Sequence, residues 1–342
     1  MRKISFPLIV ALLATLPLWW SDPYGLSVVT SAGIFIVAAI SLNLLLGFTG
    51  QLSLGHVAFF GIGAYTTALM SIGFDVSLPG LDTPLVVTPQ PVWVGFVAGV
   101  VIAAMFGWVI GKLAFRVRGA YFVIVSISFA QVMRMVALNW VDLTEGPMAL
   151  NSIPPLTLWM PGSDAIDLTS KAATYWLVLA VAVLAYLLVA ALVFSRIGRA
   201  MVALRENETL ARSIGVDVTH YLRIAAVVAA GIAGASGALY AHTVRIIDPD
   251  VFAFTFTVMM VIMVIVGGKG TLAGPVIGGI IFGLLPEVLR GSLRPEVQWM
   301  IYGAAMIAIL VFLPKGIVPA LGRLGRRKSA IPPSAAQPEL TR

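Results

Sequence analysis

Between Ala173 and Phe194 the sequence reads ATYWLVLAVAVLAYLLVAALVF, with no charged side chain. Such a run is long enough for an α-helix to cross a hydrocarbon core about 30 Å thick, which takes roughly 20 residues. Transmembrane β-strands would instead alternate polar and apolar side chains over about 10 residues, and this run does not alternate. Because a helix satisfies its own backbone groups in lipid, the run predicts a transmembrane α-helix.

The rest of the chain repeats this pattern. Of its 342 residues, 59% are hydrophobic and only 11% are charged, whereas a typical soluble domain is about 25% charged. The sequence therefore predicts an all-α polytopic membrane protein with about ten transmembrane helices. The ten apolar runs cover approximately residues 4–20, 26–46, 52–72, 92–112, 119–139, 173–194, 220–243, 251–267, 274–289 and 297–313.

One membrane domain is expected over residues 1–320, followed by a basic, disordered cytoplasmic tail over residues 321–342. The tail contains RLGRRKSAIPP, and its basic part is expected to hold the last helix against anionic lipid. The first apolar run has the alternative interpretation of a signal peptide. A retained helix is favoured because LATLPLWWSDPYG lacks a small-x-small cleavage site and contains interfacial tryptophans.

The charged residues are unevenly distributed along the chain. If both termini are cytoplasmic, most of the 22 Lys and Arg residues fall in inner segments, and most of the 15 Asp and Glu residues fall outside. Cytoplasmic segments are enriched in Lys and Arg, so this orientation is predicted. The net charge of +7 does not predict nucleic-acid binding, because the basic residues follow the membrane topology and do not form one patch.

Two apolar segments are interrupted by glycine. The first reads LNLLLGFTGQLSLGHVAFFGIGAY from Leu42, and the second reads VIVGGKGTLAGPVIGGIIFGLL from Val264. When the two are aligned with one gap, Gly47, Gly50, Leu52 and Gly55 match Gly267, Gly270, Leu272 and Gly274. Such interruptions at corresponding places in two halves are typical of transporters built from repeats.

Backbone groups freed at a helix break must face protein or a wet cavity, because lipid cannot satisfy them. We therefore expect the breaks to line a translocation pathway. The candidate residues are Asn43, Gly47, Gly50, Gln51, His56, Gly267 and Gly270. For the polar residues near the first break, capping of a helix start is the alternative role.

The glycines inside helices are expected to permit close packing; these are Gly61, Gly231, Gly234, Gly237, Gly278 and Gly283.

One inner loop, about residues 196–219, is longer and more polar than the others. It contains VALRENETLARSIGVDVTH, which starts at Val202. From about Met201 to Ile214 this stretch is expected to form one short helix, in which Glu208 lies within reach of Arg205 and Arg212. Such a helix can fit a groove in a partner protein. A solvated amphipathic linker on the membrane surface is the alternative.

The chain contains, in order, LNLLLGFTGQLSLGHVAFFGIGAYTTA, RENETLARSIGV and GGKGTLAGPVIGG. With these motifs it resembles the branched-chain amino-acid ABC transporter permeases of the LivM type. The resemblance implies a subunit of an importer in a bacterial inner membrane. The implied partners are a second, related permease, two cytoplasmic ATPases and a periplasmic solute-binding protein. The resemblance also implies a coupling segment that docks on an ATPase and includes Arg205, Glu206, Asn207, Glu208, Ala211 and Gly215.

The chain departs from this resemblance after the fifth helix, where relatives tend to have a glycine-rich outer stretch. Here the sequence reads DLTEGPMALNSIP from Asp142. The solute therefore stays open among branched-chain amino acids, other amino acids, amides and urea. In the outer half of the fifth helix, Gln131 and Arg134 are candidates for a polar path. Snorkelling to the outer interface is the alternative for Arg134.

Two other classes of protein fit the sequence less well. An ion-coupled secondary transporter is the alternative function, but it would normally need carboxylates within the membrane, and here the acids lie almost wholly in loops. A hydrolase is disfavoured because the sequence has neither HExxH nor GxSxG. Without a GxxxxGK[ST] phosphate loop, the chain is expected to be a transport subunit that draws its energy from a partner.

Because the chain has no cysteine, no Cys-based metal site is possible, and we expect neither a metal nor a cofactor.

Overall fold

The computed structural model describes residues 2–19, 22–76, 85–116, 119–158, 166–167, 170–290, 295–313 and 315–321. Most of these residues are helical. The α-helices are α1 (Arg2–Trp19), α2 (Pro23–Asn43), α3 (Val57–Ile72), α4 (Val92–Ala114), α5 (Ala120–Asn139), α6 (Val141–Thr144), α7 (Lys171–Phe194), α8 (Arg196–Glu206), α9 (Glu208–Ser213), α10 (Val218–Val244), α11 (Phe254–Gly267), α12 (Gly274–Arg290) and α13 (Pro295–Phe312). A helix lies over each of the ten predicted runs. Apart from Leu321, the predicted tail lies outside the described residues.

Within the described part of the chain, five helical segments are long and apolar enough to cross a membrane. They are Pro23–Thr49, Val92–Ala114, Ala120–Asn139, Lys171–Phe194 and Val218–Val244. Shorter apolar helices include Val57–Ile72, Phe254–Gly267 and Gly274–Leu285. The prediction of an all-α, multi-pass membrane protein is therefore confirmed.

Helices α2 and α10 form the centre of the molecule. In each of them, 72% of the apolar span is buried, against 28% in α4, 22% in α5 and 17% in α7. Helix α10 packs against α2, α3 and α4, and α2 also packs against α7, α11 and α12. An aromatic cluster fills the space between α2, α3, α10 and α11, where the Phe35 ring stacks on Phe60 and on Phe256. The peripheral helices thus surround a central pair that carries the main core.

Small residues allow the central helices to approach closely. A Cβ atom on Gly237 of α10 would lie 1.8 Å from the carbonyl oxygen of Phe60 in α3, and one on Gly278 of α12 would lie 1.9 Å from that of Met263 in α11. The predicted packing role also fits Gly61, Gly234 and Gly283, where a Cβ would meet a neighbour within 3 Å. Gly231 is different, because its nearest neighbour is an ordinary contact at 3.6 Å.

Short strands and turns connect the helices in the loops that the sequence places outside the membrane. The hairpin β1 (Phe74–Val76) and β2 (Leu85–Val87) is antiparallel, with Phe74 opposite Val87. The strands β3 (Thr157–Leu158) and β4 (Ile166–Asp167) form a second antiparallel pair. An isolated bridge pairs Leu150 with Ile247. This bridge ties the segment after α5 to the segment after α10.

Candidate functional site

The first break follows α2. After Asn43 the helix widens into a π-helical segment, Leu44–Thr49, which ends at Gly50 in the left-handed region with a φ of 77°. Residues 50–56 are not helical, and α3 begins at Val57. Single π-helical turns inside α-helices occur frequently at functional sites. The last carbonyl groups of such a segment need partners from outside the helix.

The second break follows α11. The chain leaves the helix after Gly267, and Gly268 and Gly270 have φ values of 120° and 73°. The hydroxyl of Thr271 donates to the Gly268 carbonyl (2.7 Å) and accepts from the Gly274 N–H at the start of α12 (3.0 Å). Thr271 therefore caps the next helix while it holds the loop in a tight turn.

The side chain of Asn43 joins the two breaks. Its Nδ2 donates to the Thr271 carbonyl at 2.9 Å, and its Oδ1 accepts from the Gly270 N–H at 3.0 Å. Asn43 is only 1% exposed, so these bonds are shielded from water. A Cβ atom on Gly47 would lie 2.4 Å from the Gly270 nitrogen. The two breaks are therefore in direct backbone contact, and one buried amide holds them together.

Arg205 reaches this junction from the inner loop. Its Nη1 donates to the Gly47 carbonyl at 2.8 Å, while Nε and Nη2 donate to Glu206 Oε1 at 3.2 and 2.5 Å. A Cβ on Gly50 would lie 3.1 Å from Arg205 Cγ, and one on Gly270 would lie 2.5 Å from Nη1. We define the breaks junction as Asn43, Gly47, Gly50, Arg205, Gly270 and Thr271.

Helix α5 holds the loop that follows the first break. Ser126 Oγ accepts from the N–H groups of Leu54 (3.1 Å) and Gly55 (3.3 Å). A Cβ on Gly55 would lie 1.7 Å from the Ser126 carbonyl oxygen. The predicted site did not include Ser126. A serine in the middle of an apolar span was the available signal, because such polar groups are rare in membranes unless they bind a partner.

His56 lies inside the protein and has 0% exposure. Its Nε2 lies 2.7 Å from Ser41 Oγ, whose own proton goes to the Ala38 carbonyl at 2.6 Å. Nε2 must therefore carry a proton and donate to Ser41. His56 therefore joins the start of α3 to α2 by a hydrogen bond, and in this conformation its side chain is fully buried. Gln51, at the other end of the loop, is half-buried.

The inner loop corrects one prediction. The expected single helix from about Met201 to Ile214 is in fact two helices, α8 and α9, separated by Asn207. Asn207 has an extended backbone (φ −158°), and its side chain caps α9 by accepting from the Leu210 N–H at 3.0 Å. Arg212 pairs with Glu208 at 3.4 Å as expected. Arg205 instead binds Glu206, because the helix ends before Glu208 completes the turn.

Other residues of the predicted coupling segment lie on two sides of α8 and α9. Met201, Leu204 and Ala211 are buried against the core. Leu210 and Ile214 are 61% and 73% exposed. Gly215 follows them with a φ of 88°, which ends the segment before α10. The segment therefore has an anchored inner face and an exposed face with large apolar side chains.

The two candidates on α5 are separate from the breaks junction. Arg134 Nη2 forms a salt bridge to Asp250 Oδ1 at 2.6 Å and thereby ties α5 to the 3-10 segment Pro249–Phe252. Gln131 is exposed. No group of three or more His, Asp or Glu that would suit a metal ion occurs among the residues that the structure describes.

Comparison with known families matches residues 24–310 to the family described as "Branched-chain amino acid transport system / permease component". The chain belongs to this permease family. The resemblance inferred from its three motifs is thus confirmed. No solved structure matches the chain.

Curated relatives support the assignment. The permease is 28% identical over 338 residues to the high-affinity branched-chain amino acid transport system permease protein LivM of Escherichia coli K12, covering 91% of this chain and 74% of that protein. It is also 28% identical over 296 residues to the permease protein LivH of Salmonella typhimurium, covering 85% of this chain and 92% of that protein. Similarity to both the LivM and LivH types extends along most of the chain.

A methyl group added at the breaks junction should impair transport. In Gly47→Ala the new Cβ would lie 2.1 Å from Asn43 Oδ1. In Gly270→Ala the new Cβ would lie 2.5 Å from Arg205 Nη1, and the alanine would also have to adopt the strained φ of 73°. Overpacking of this kind typically costs about 1–3 kcal/mol. We expect both variants to lower solute uptake and the thermal unfolding midpoint of the purified permease.

Gly231→Ala is the matched control, because a Cβ there has a nearest neighbour at 3.6 Å. Gly61 is unsuitable as a control, since its Cβ would lie 2.2 Å from the Phe252 ring. Uptake in Gly47→Ala and Gly270→Ala equal to that in Gly231→Ala would show that transport does not need the close contact between the breaks.

Proposed function

We propose that this permease is the membrane-spanning subunit of an ATP-driven, binding-protein-dependent importer of branched-chain amino acids or similar small polar solutes. The observation that carries the proposal is the inner segment α8–α9, which is anchored on one side and exposed on the other, in a chain of this permease family. An amino-acid solute is supported by the names of the relatives, which are permease proteins of branched-chain amino acid transport systems.

The exposed face of α9 is the proposed contact with an ATPase. Leu210 lies in α9 and Ile214 follows the last residue of α9; because the Ile214 N–H bonds to the Leu210 carbonyl, the two side chains share a face. Ala211 is buried and fixes α9 against the core. Burying two large aliphatic side chains in a partner's groove releases about 1.5–3 kcal/mol each. The polar neighbours Glu208 and Arg212 can then set the orientation of docking at the rim.

The proposed assembly contains a second, related permease, two cytoplasmic ATPases and a periplasmic solute-binding protein. An external energy source is needed because the sequence has no phosphate loop of its own. The ion-coupled alternative lacks support: among the side chains that the structure describes, the buried polar groups include no Asp or Glu. Coupling ions in membranes are normally held by such carboxylates or by unwound carbonyl sites, and at the breaks the Gly47 and Thr271 carbonyls already accept from Arg205 and Asn43.

The proposed layout has ten crossings, both termini in the cytoplasm, and glycine-broken segments in two related halves. The distribution of basic residues supports the orientation. The short lengths of α3 and α11, 16 and 14 residues, agree with helices that end at breaks inside the membrane region. Several backbone groups freed at the breaks, among them the Gly47 carbonyl and the Gly270 N–H, are bonded within the protein, as the absence of water in lipid requires.

The exposed face of α5 is proposed to line the translocation pathway, next to the second permease. Ser128 and Gln131 are exposed there, near the middle of a helix that is apolar overall. A polar side chain facing lipid at that depth is costly, so such residues normally face a wet cavity or another protein. The exposed positions Val97, Val101 and Met105 of α4 are apolar, as expected for a lipid-facing helix.

Docking on an ATPase can be tested by making the exposed face of α9 polar. We expect Leu210→Gln and Ile214→Gln to insert normally but to retain less ATPase on co-purification, since truncating an interface anchor typically costs at least about 1 kcal/mol. Val86→Gln is the control, because Val86 is 60% exposed on the outer hairpin. Full retention of ATPase by both α9 variants, with normal uptake, would favour a linker lying on the membrane.

The orientation can be tested with small accessibility tags inserted into the intact permease. Tags at Thr83 and Asp164 should be reached from the periplasm, because both lie in predicted outer loops that carry few basic residues. A tag at Glu208 should be reached only from the cytoplasm. Periplasmic labelling at Glu208 would overturn the layout and, with it, the proposed contact with an ATPase.

The role of α5 can be tested with single cysteines, since the permease has none of its own. In the reconstituted importer, Gln131→Cys should react with a charged, membrane-impermeant thiol reagent, because a wet pathway admits that reagent. Val101→Cys on α4 should stay unreactive, as it is 50% exposed in the isolated chain but would face lipid. Equal protection at both positions would exclude a water-filled path along α5 in the states sampled.

A further inference from the structure

The Arg205 side chain points inward from the proposed coupling segment (residues 196–219), and its Nη1 binds the Gly47 carbonyl. The role inferred for Arg205 rests on the proposed function of that segment. From the geometry of the breaks junction, we infer that Arg205 is the positioning residue that transmits movement of α8 to both helix breaks at once. The residue therefore acts on the two breaks, while α9 makes the proposed contact with the ATPase.

All three nitrogens of the Arg205 guanidinium group donate hydrogen bonds in fixed directions. Nε and Nη2 both donate to Glu206 on the same helix, and Nη1 donates to the Gly47 carbonyl. A planar guanidinium held at two sides behaves as a rigid spacer, which a flexible ammonium group cannot reproduce. Movement of α8 must therefore either carry the Gly47 carbonyl with it or break a charge-assisted hydrogen bond.

The position of Gly47 explains why a cation is favourable there. Its carbonyl belongs to the π-helical segment at the end of α2, where the last carbonyls lack partners within the helix. A positive charge at a helix C-terminus also interacts favourably with the helix dipole. Arg205 is thus a side-chain cap that comes from a distant element. It stabilises the end of α2 only while α8 stays in its present position.

Glycine is needed at three positions around the Arg205 side chain. Gly50 lies against Cγ and Cα of Arg205, Gly270 lies against Nη1, and Gly47 supplies the carbonyl that Nη1 binds. Side chains at these positions would separate Arg205 from the breaks. The close fit explains why glycines aligned between the two segments, Gly50 and Gly270, both face the same arginine.

Asn43 carries the movement from the first break to the second. It lies one turn before Gly47 and binds the backbone of Gly270 and Thr271 through both ends of its amide. A displacement of Gly47 is therefore transmitted to Gly270 by direct backbone contact and by the Asn43 side chain. The two breaks therefore move as one unit with Arg205, and the ends of α2 and α11 beside them move as well.

The test uses the complete importer, reconstituted with its ATPases and binding protein, and compares Arg205→Gln with wild type. We expect Arg205→Gln to keep its ATPases and to hydrolyse ATP. Solute imported per ATP should fall about tenfold, the size expected for loss of one charge-assisted hydrogen bond. Arg199→Gln is the matched control, since Arg199 is an exposed arginine of the same helix whose side chain, among the residues described, bonds to the nearby Phe194 carbonyl.

A second readout separates transmission from a merely structural role. Gln51→Cys, in the loop of the first break, provides a unique thiol in this subunit. With Arg205 present, its rate of modification should differ between the ATP-bound and nucleotide-free importer. In the Arg205→Gln background we expect that difference to disappear, although ATP still binds. A simple loss of stability would change both rates without removing their dependence on nucleotide.

Three results would overturn the inference. One is wild-type import per ATP in Arg205→Gln, and another is a preserved effect of ATP on Gln51→Cys in that background. The third is loss of the ATPases from Arg205→Gln, which would make Arg205 a docking residue. If Arg205→Gln does not accumulate, Arg205→Lys gives the same readouts, and full coupling there overturns the inference. Full ATPase binding by Leu210→Gln and Ile214→Gln would instead refute the proposed docking. That result is measured on different variants, so it is distinguishable from failure of the role inferred for Arg205.

Discussion

A backbone group that leaves a helix inside a membrane must find its partner within the protein, because hydrocarbon offers none. The structure of this permease depends on how it meets that requirement at two glycine-rich breaks. Asn43 supplies both a donor and an acceptor to the second break, and Arg205 supplies a donor to the first. Each break is therefore stabilised by a residue from another part of the chain. The geometry of the two breaks is therefore set jointly.

The rest of the core is built to resist movement. Helices α3, α4 and α10 approach so closely that a Cβ on Gly63 would lie 2.2 Å from the Gly234 carbonyl, and one on Gly237 would lie 1.8 Å from that of Phe60. Interiors packed at this density transmit displacement and do not absorb it. Residues 50–56 and 268–273 are the non-helical stretches beside this core. Conformational change is therefore expected to concentrate at the breaks.

Local features of the sequence predicted more of the fold than of the site. The lengths of apolar runs placed a helix over each expected position, because crossing hydrocarbon fixes both composition and length. The contact of Asn43 with Thr271, 228 residues away, has no local signal. The division of the inner loop at Asn207 was also missed: Asn can lie within a helix or cap one, and here its side chain caps α9. Gly231 shows the same limit, since its sequence context resembles that of Gly234 but its surroundings leave room for a methyl group.

Because the chain is divided at Asn207, force applied by a partner would pass through the proposed coupling segment by way of two helices, α9 and then α8. A single continuous helix would place Arg205 and Glu208 on one face, and the same side chains would then serve both the partner and the breaks. With the chain extended at Asn207, α9 presents Leu210 and Ile214 outward, while α8 directs Arg205 onto Gly47. Ala211 and Leu204 are buried on either side of the joint and keep the two helices from swinging freely. Under the proposed function, outward docking and inward transmission thus belong to different helices, joined by a short, capped connection. A partner that displaces α9 would displace α8 as well, and with it Arg205, the one cation bonded to the end of α2 among the residues described.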